Sequence, residues 1–176
     1  MERIKGGVTA AHGFEAAGTE ANIKYQGRMD MALIYSSAPC NVAGTFTTNV
    51  VKAAPVLWDK EIVENSPYAQ AVIVNAGIAN ACTGKQGMDY CAGEAKKAAS
   101  LLDIPENAVL VGSTGVIGKQ LPMDRICAGI EKLAAAKDAS IEAGTTASKA
   151  IMTTDTVNKE IAVTIELDGK TVTVGG

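Results

Sequence analysis

Two short apolar runs limit what this chain can fold into. Residues 31–36 (Met-Ala-Leu-Ile-Tyr-Ser) and 71–75 (Ala-Val-Ile-Val-Asn) have the length and composition of buried strands. A further strand is predicted to end at Val111, and residues 43–48 are also rich in β-forming side chains. Buried strands need helices to cover them, so the pattern favours an α/β fold in which helices pack on a sheet.

Helical periodicity is clearest in the second half of the chain. In a first predicted helix, apolar residues recur at three- and four-residue spacing: Met88, Cys91, Ala95, Ala98 and Leu102. A second helix is predicted to start after Leu121, with Pro122 in its first turn. A third is predicted from about 139 to 151, with Asp138 as its N-cap.

The C-terminal stretch is predicted to be a hairpin. Apolar residues alternate with polar ones from Ile161 onward, and Asp168-Gly169 is a strong two-residue turn signal. We expect residues 1–176 to form one domain. Because Gly175-Gly176 directly follow the last strand, we also expect the functional protein to continue, in the same gene product or in a second chain.

Composition and charge exclude several classes of protein. Hydrophobic residues make up 47% of the chain but aromatic ones only 4%, so the core must be built from small side chains. The net charge of −3 is interspersed, which argues against nucleic acid as a partner. No apolar run approaches the ~20 residues of a membrane span, and the N-terminus lacks a signal-peptide core. We therefore expect a cytoplasmic protein.

The cysteines and the single histidine do not suggest chemistry. Cys40, Cys82, Cys91 and Cys127 contain no C-x-x-C pair and are interpreted as small buried residues in a reducing compartment. His12 stands in a Gly- and Ala-rich stretch and is interpreted as a loop residue. We expect neither a metal site nor a bound cofactor.

Residues 111–119 (Val-Gly-Ser-Thr-Gly-Val-Ile-Gly-Lys) form the richest segment. A phosphate-binding loop is rejected because five residues, not four, separate Gly112 from Gly118, and Gln120 stands where Ser or Thr is needed. The segment could instead be an anion-binding turn, as an oxyanion hole requires. It could equally be a tight strand-to-helix connection.

Two more polar segments follow apolar elements. Residues 74–84 carry two Asn residues, several small residues and a Thr-Gly; they suit either a close-approaching ligand or an Asn-capped turn. Residues 150–156 suit either a site or a solvated helix end. No side chain is a convincing nucleophile, since Ser113 has no neighbouring His, so acyl chemistry would need an attacking group from elsewhere.

At these three segments the chain resembles the ornithine acetyltransferase (ArgJ) family of glutamate N-acetyltransferases. One departure is that this chain has Ala76 and Ile78 where the family usually has Ser and Asn. The ordered matches run along the whole chain: residues 6–9, 44–49, 51–56, the Asn-rich loop, 113–118 with 121–123, and 150–156.

The resemblance implies most of the α chain of a precursor that cleaves itself, with an α/β sandwich fold and an α2β2 assembly. The nucleophile would be the N-terminal Thr of a β chain, which takes acetyl from N2-acetylornithine and passes it to glutamate. Some members also accept acetyl-CoA. The resemblance assigns Thr114 and Gly115 to the oxyanion hole and Thr153 to substrate binding. The alternatives are a self-processing aminopeptidase of a related fold and a binding module for a small metabolite.

Overall fold

The computed structural model describes residues 1–66 and 68–176, which form seven strands and four α-helices. The strands are β1 (Glu2–Ile4), β2 (Phe14–Thr19), β3 (Met31–Cys40), β4 (Ala69–Ile78), β5 (Val109–Val116), β6 (Ala162–Leu167) and β7 (Lys170–Gly175). The helices are α1 (Ala54–Asn65), α2 (Gln86–Leu102), α3 (Met123–Ala136) and α4 (Ile141–Ala150).

The central sheet has four strands in the order β2-β3-β4-β5. The first three run antiparallel to their neighbours, whereas β4 and β5 are parallel and are connected through α2. The parallel pair stays in register from Ala71 opposite Val109 to Ile78 opposite Val116. The carboxyl ends of β4 and β5 therefore meet at one edge of the sheet, which is where ligands bind in many α/β proteins.

Helices cover both faces of this sheet. Alternation along β3 sends Met31 and Leu33 into the main core, where Ile126 and Ile130 of α3 also lie, and sends Ala32 to the opposite face. There Ala147 of α4 packs against Ala32. The predicted α/β class and the small-residue core are thus confirmed, and no helix of the described residues is long and apolar enough to span a bilayer.

The predicted strands and helices are present, with two corrections to strands. β5 continues through Val116 instead of ending at Val111, because its parallel pairing with β4 extends that far. Residues 43–48 are not a strand: they have no strand partner. Nearby backbone is satisfied locally, with the Asn49 N–H donating to Thr47 Oγ1 and the Val51 N–H to Asn49 Oδ1.

Two features of the helices differ from expectation. The N-cap of α4 is Ser140, whose hydroxyl accepts from the Ala143 N–H, whereas the predicted Asp138 lies two residues earlier and accepts from the Ser140 N–H. Helix α1 was not predicted, because its own pattern is only weakly amphipathic. It is fixed by tertiary contacts: Trp58 Nε1 donates to the Val109 carbonyl at 3.1 Å, and Asp59 accepts from the backbone of β5 at 2.9 Å.

The C-terminal hairpin is confirmed. β6 and β7 pair antiparallel from Ala162 opposite Gly175 to Leu167 opposite Lys170, and β1 adds a third strand beside β6. Asp168 and Gly169 form the turn with φ of 51° and 74°. A two-residue turn with both residues left-handed matches the twist of the strands, which explains why this turn was readable from sequence.

The cysteines are less uniform than predicted. All four are free, but only Cys91 is buried, Cys40 and Cys127 are partly exposed, and Cys82 is exposed. Burial raises the pKa of the Cys91 thiol to about 12, so this side chain packs as a neutral apolar group. His12 is exposed in a turn before β2, as expected.

One buried charge-bearing residue was not anticipated. Glu94 of α2 is only 2% exposed, and its Oε2 has no hydrogen-bond partner among the described residues. Burial raises the pKa of this carboxyl from 4.5 to about 8. A neutral acid is the form that this position tolerates at neutral pH, since an unpaired carboxylate would be costly inside a core.

We predict that Glu94 makes the full-length protein less stable as the pH rises. The unfolded state releases this proton near pH 4.5 and the folded state near pH 8, so the free energy of unfolding should fall by about 1.4 kcal/mol per pH unit across that window. Glu94→Gln should remove this contribution, most clearly between pH 6 and 8, because burial also raises the pKa of Asp59 to about 6 and adds a slope of the same sign at lower pH. Urea unfolding at several pH values checks it, with Glu64→Gln on the exposed face of α1 as the control. An unchanged slope in Glu94→Gln would contradict the argument.

Candidate functional site

A cavity of about 330 Å³ opens at the carboxyl ends of β4 and β5. It is built from four segments: the ends of the two strands, the loop between β2 and β3, and the segment that follows α4. Its lining residues are Lys24, Tyr25, Arg28, Asp30, Ala76, Gly77, Thr114, Gly115, Val116, Thr153 and Thr154. All three polar segments identified in the sequence therefore contribute to one cavity.

A pair of glycines shapes the floor of the cavity. Gly77 of β4 and Gly115 of β5 face each other in the parallel register, and both have a left-handed φ, 105° and 132°. A Cβ at Gly115 would lie 2.3 Å from the carbonyl carbon of Gly77. Only glycine fits at this approach, because the obstruction is backbone that cannot rotate away.

The structure brings the predicted site residues together. Thr114 and Gly115 stand at the end of β5, and Thr153 reaches the same cavity from the segment after α4. Both threonines are half-buried, whereas Gly115 is exposed. The glycines of residues 111–119 therefore do not simply connect a strand to a helix: Gly115 belongs to the strand and opens its backbone toward the cavity edge.

The Thr153 segment is held by an arginine from the opposite side of the cavity. Arg28 Nη2 donates to the Met152 carbonyl and, at 3.3 Å, to the Thr153 carbonyl. The Thr153 N–H points to Asp155 Oδ2 at 3.5 Å. A guanidinium carries several N–H donors in a fixed plane, so it can hold two adjacent carbonyls at once. The 152–155 segment is thus ordered by contacts beyond its own helix end.

Sequence reasoning missed the loop between β2 and β3. Its anchor is Asp30, which is 5% exposed and accepts from the Ala21 N–H at 2.7 Å and the Ile23 N–H at 2.6 Å. The Asp30 carbonyl also accepts from the Ala76 N–H of β4 at 2.8 Å. The available signal was an Asp directly before an apolar strand in a stretch dense in charge, Lys24-Tyr-Gln-Gly-Arg-Met-Asp30.

The two asparagines of residues 74–84 have structural roles. Asn75 is fully buried and donates to the Ile78 carbonyl at 2.8 Å. Asn80 donates to the Gly87 carbonyl at 2.8 Å and accepts from the Thr83 hydroxyl at 2.7 Å, which ties the end of β4 to the start of α2. The side chains of Asn75 and Asn80 therefore stabilise the turn itself. Ala76 and Gly77 of the same segment line the cavity.

The departure at Ile78 is accommodated by packing. Ile78 is 1% exposed and belongs to the main hydrophobic core, and Ala76 is 2% exposed. The backbone beside it is bonded to the neighbouring strand, because the Ser113 hydroxyl donates to the Ile78 carbonyl at 3.2 Å and accepts from the Asn80 N–H at 2.7 Å. The loop is therefore well ordered with an apolar side chain at position 78.

The cavity can bind and polarise a ligand, but its described lining contains no nucleophile with a base beside it. Its titratable groups are Lys24, Tyr25, Arg28 and Asp30. A hydrogen bond from Lys24, together with its charge, lowers the pKa of the Tyr25 hydroxyl. Within residues 1–66 and 68–176, no three His, Cys, Asp or Glu side chains form a metal-binding group. Hydroxyl and backbone N–H donors therefore line the cavity, and an attacking group for acyl chemistry would have to come from outside its described lining.

These features define an α/β protein whose candidate site lies where two parallel strands end. A model of the ArgJ family matches residues 15–176, and the chain belongs to this family. It is 51% identical to the arginine biosynthesis bifunctional protein ArgJ of Symbiobacterium thermophilum over 99% of this chain and 43% of that protein. It is 42% identical to the chloroplastic protein of that name from Oryza sativa, over 99% of this chain and 38% of that protein.

Solved structures share the fold. The arginine biosynthesis bifunctional protein ArgJ of Bacillus halodurans superposes with a TM-score of 0.94 at 43% identity, over 99% of this chain and 90% of that one. The ornithine acetyltransferase of Mycobacterium tuberculosis, solved in complex with ornithine, gives 0.89 at 40% identity, over 97% and 90%. The family and fold expected from the sequence are confirmed, and the chain spans about two fifths of the length of the curated relatives.

We predict that the glycine pair tolerates no side chain. Gly115→Ala in the full-length protein should force β5 away from β4 and greatly reduce both stability and activity. Gly118→Ala is the matched control, because Gly118 is also left-handed, at φ 75°, but has nothing within 4 Å of a new Cβ. It should cost only the conformational strain of roughly 1–2 kcal/mol. Equal melting temperatures for the two variants would contradict the close-approach argument.

Proposed function

We propose that the full-length protein transfers acetyl from N2-acetylornithine to glutamate, giving ornithine and N-acetylglutamate in arginine biosynthesis. The observation that carries the proposal is the convergence of Thr114, Gly115 and Thr153 on one cavity, whose described lining holds donors but no nucleophile with a base beside it. Family membership and the relatives' names support it. The Mycobacterium tuberculosis relative bound to ornithine supports the choice of substrate.

The proposal includes a second chain. This chain would be most of the α chain of a self-cleaving precursor, and a β chain from the same precursor would supply an N-terminal Thr as nucleophile, in an α2β2 assembly in the cytoplasm. The proposal is supported by the coverage of the relatives, because this chain matches only 43% of the length of the Symbiobacterium thermophilum protein. No cofactor is needed for this chemistry, although acetyl-CoA is a further candidate donor.

The proposed mechanism uses an acetyl-enzyme. The β-chain Thr hydroxyl attacks the acetyl carbonyl carbon of N2-acetylornithine, while the α-amine of that Thr takes its proton. The tetrahedral intermediate collapses by breaking the C–N bond, and the departing ornithine amine receives the proton. The glutamate amine then attacks the acetyl ester by the reverse sequence. Negative charge forms on the carbonyl oxygen in both steps, and the Thr114 hydroxyl and Gly115 N–H would stabilise it.

Two rival functions lead to different outcomes. In an aminopeptidase of a related fold, water replaces glutamate as acceptor, so product release would not depend on glutamate. In a metabolite-binding module, no acetyl-enzyme forms at all. Measuring ornithine release with and without glutamate separates the first rival, and the intact mass of the processed protein after exposure to N2-acetylornithine separates the second.

We predict that Thr114→Val slows acetylation of the processed enzyme by about 10²–10³-fold. The substitution keeps the shape of the side chain but removes one donor to the oxyanion, a change that typically has this effect on kcat. Single-turnover acetylation is the measurement. Thr164→Val is the control, since Thr164 is a half-buried strand residue that does not line the cavity. Acetylation of Thr114→Val at the wild-type rate would rule out the oxyanion assignment.

We predict a different signature for Thr153. Its proposed role is to bind the amino-acid substrate before the reaction, so Thr153→Ala should raise KM with little change in kcat. Steady-state kinetics with both substrates test this expectation. A large fall in kcat at unchanged KM would instead assign Thr153 a contact made only in the transition state.

A further inference from the structure

Lys24 occupies a defined place beside the glycine pair. The loop that carries it is held by the Asp30 carboxylate. One carboxylate oxygen accepts a hydrogen bond from the Ala21 N–H and the other from the Ile23 N–H. The Lys24 stem lies against Gly77: a Cβ built on Gly77 would come within 3.0 Å of Lys24 Cβ and 3.9 Å of Lys24 Cδ. The missing side chain at position 77 therefore makes room for the lysine.

The same contact places Lys24 beside the proposed oxyanion site. Gly77 pairs with Gly115 across the parallel strands, and neighbouring strands lie about 4.8 Å apart. The lysine stem therefore packs on the residue that is paired directly with Gly115, and Lys24 lines the same cavity as Thr114 and Gly115. Its Nζ lies 4.7 Å from the centre of the Tyr25 ring, on the cavity lining.

The charge of Lys24 is not neutralised by a carboxylate. The ion pairs of the described residues involve four other lysines, and none includes Lys24. Asp30, the acidic residue of the lining, already accepts a backbone N–H at each of its two oxygens. Arg28 adds a second positive charge, and its side-chain hydrogen bonds within the described residues go to carbonyl oxygens. The cavity is thus cationic and suited to an anionic ligand.

We propose that Lys24 binds the α-carboxylate of the amino-acid substrate. This inference depends on the proposed function, because in an N-acyl amino acid the carboxylate is attached one carbon from the nitrogen that bears the acyl group. If Thr114 and Gly115 hold the acyl oxygen, the carboxylate must lie within a few ångströms of them, in the cavity that Lys24 also lines. Charge-assisted hydrogen bonds of this kind are the strong ones in such sites.

The α-carboxylate is a better match than a side-chain group. N2-acetylornithine and glutamate share the α-carboxylate, but their side chains end in opposite charges. A cation placed against the side chain would repel the ornithine ammonium while attracting the glutamate carboxylate. A site that must bind both molecules in turn can use a fixed positive charge only where both carry the same negative one.

The test uses Lys24→Met in the full-length, processed enzyme. Met keeps most of the stem that lies against Gly77 and removes the charge. We expect KM to rise on the order of 10- to 100-fold for both N2-acetylornithine and glutamate, with a much smaller change in kcat. Lys24→Arg should recover part of the loss, and Lys60→Met, on the exposed face of α1, should have no effect.

A second arm compares the substrate with its amide. Replacing the α-carboxylate of N2-acetylornithine by a carboxamide should weaken kcat/KM strongly in the wild type and only slightly in Lys24→Met, because the partner charge is already gone. An equal penalty in both enzymes would overturn the proposal. A rise in KM for glutamate alone would also overturn it, since that result assigns Lys24 to the glutamate side chain.

These outcomes are distinguishable from failure of the proposed function. If the wild-type enzyme neither releases ornithine nor forms an acetyl-enzyme, the proposed function fails before any variant is compared. If the wild type turns over and Lys24→Met keeps wild-type KM values for both substrates, the proposed function stands and the role of Lys24 is wrong.

Discussion

The close approach of β4 and β5 at Gly77 and Gly115 is the constraint on which the candidate site depends. Two parallel strands ending side by side would normally present side chains to the space above them. Here Gly77 and Gly115 have no Cβ and adopt a left-handed φ, so the backbone of the two strands forms the floor of the cavity. The space over Gly77 admits the Lys24 stem, and the absence of a side chain at Gly115 lets its strand approach the Gly77 backbone closely.

The cavity walls are connected to that floor by a few polar contacts across the chain. Asp30 fixes the loop between β2 and β3 and bonds to Ala76 of β4, while Arg28 reaches over to the carbonyls at 152 and 153. Segments separated by more than a hundred residues thus share one hydrogen-bonded frame. Preorganisation of this kind is what an oxyanion site needs, because donors must be in place before charge develops.

The side chains at positions 78 and 80 point into the protein interior, which explains how the end of β4 accommodates Ile78. Ile78 joins the apolar core and Asn80 donates to the Gly87 carbonyl at the start of α2, so neither of these side chains is among the cavity lining. The groups that line the cavity from this segment are Ala76 and Gly77. The departure at position 78 therefore changes the packing of the core, while the Ser113 hydroxyl of the neighbouring strand bonds to the Ile78 carbonyl and the Asn80 N–H.

The sequence by itself determined the elements whose signals are local. Apolar runs, helical periodicity and the Asp168-Gly169 turn located most of the strands and helices, and the ordered motifs identified the family and singled out Thr114, Gly115 and Thr153. Tertiary structure alone decided the rest. Helix α1 and the full length of β5 depend on partners distant in the chain, as does the convergence of Lys24, Arg28 and Thr153. Such contacts leave no periodicity in the sequence, because they join residues whose spacing is set by the folded sheet.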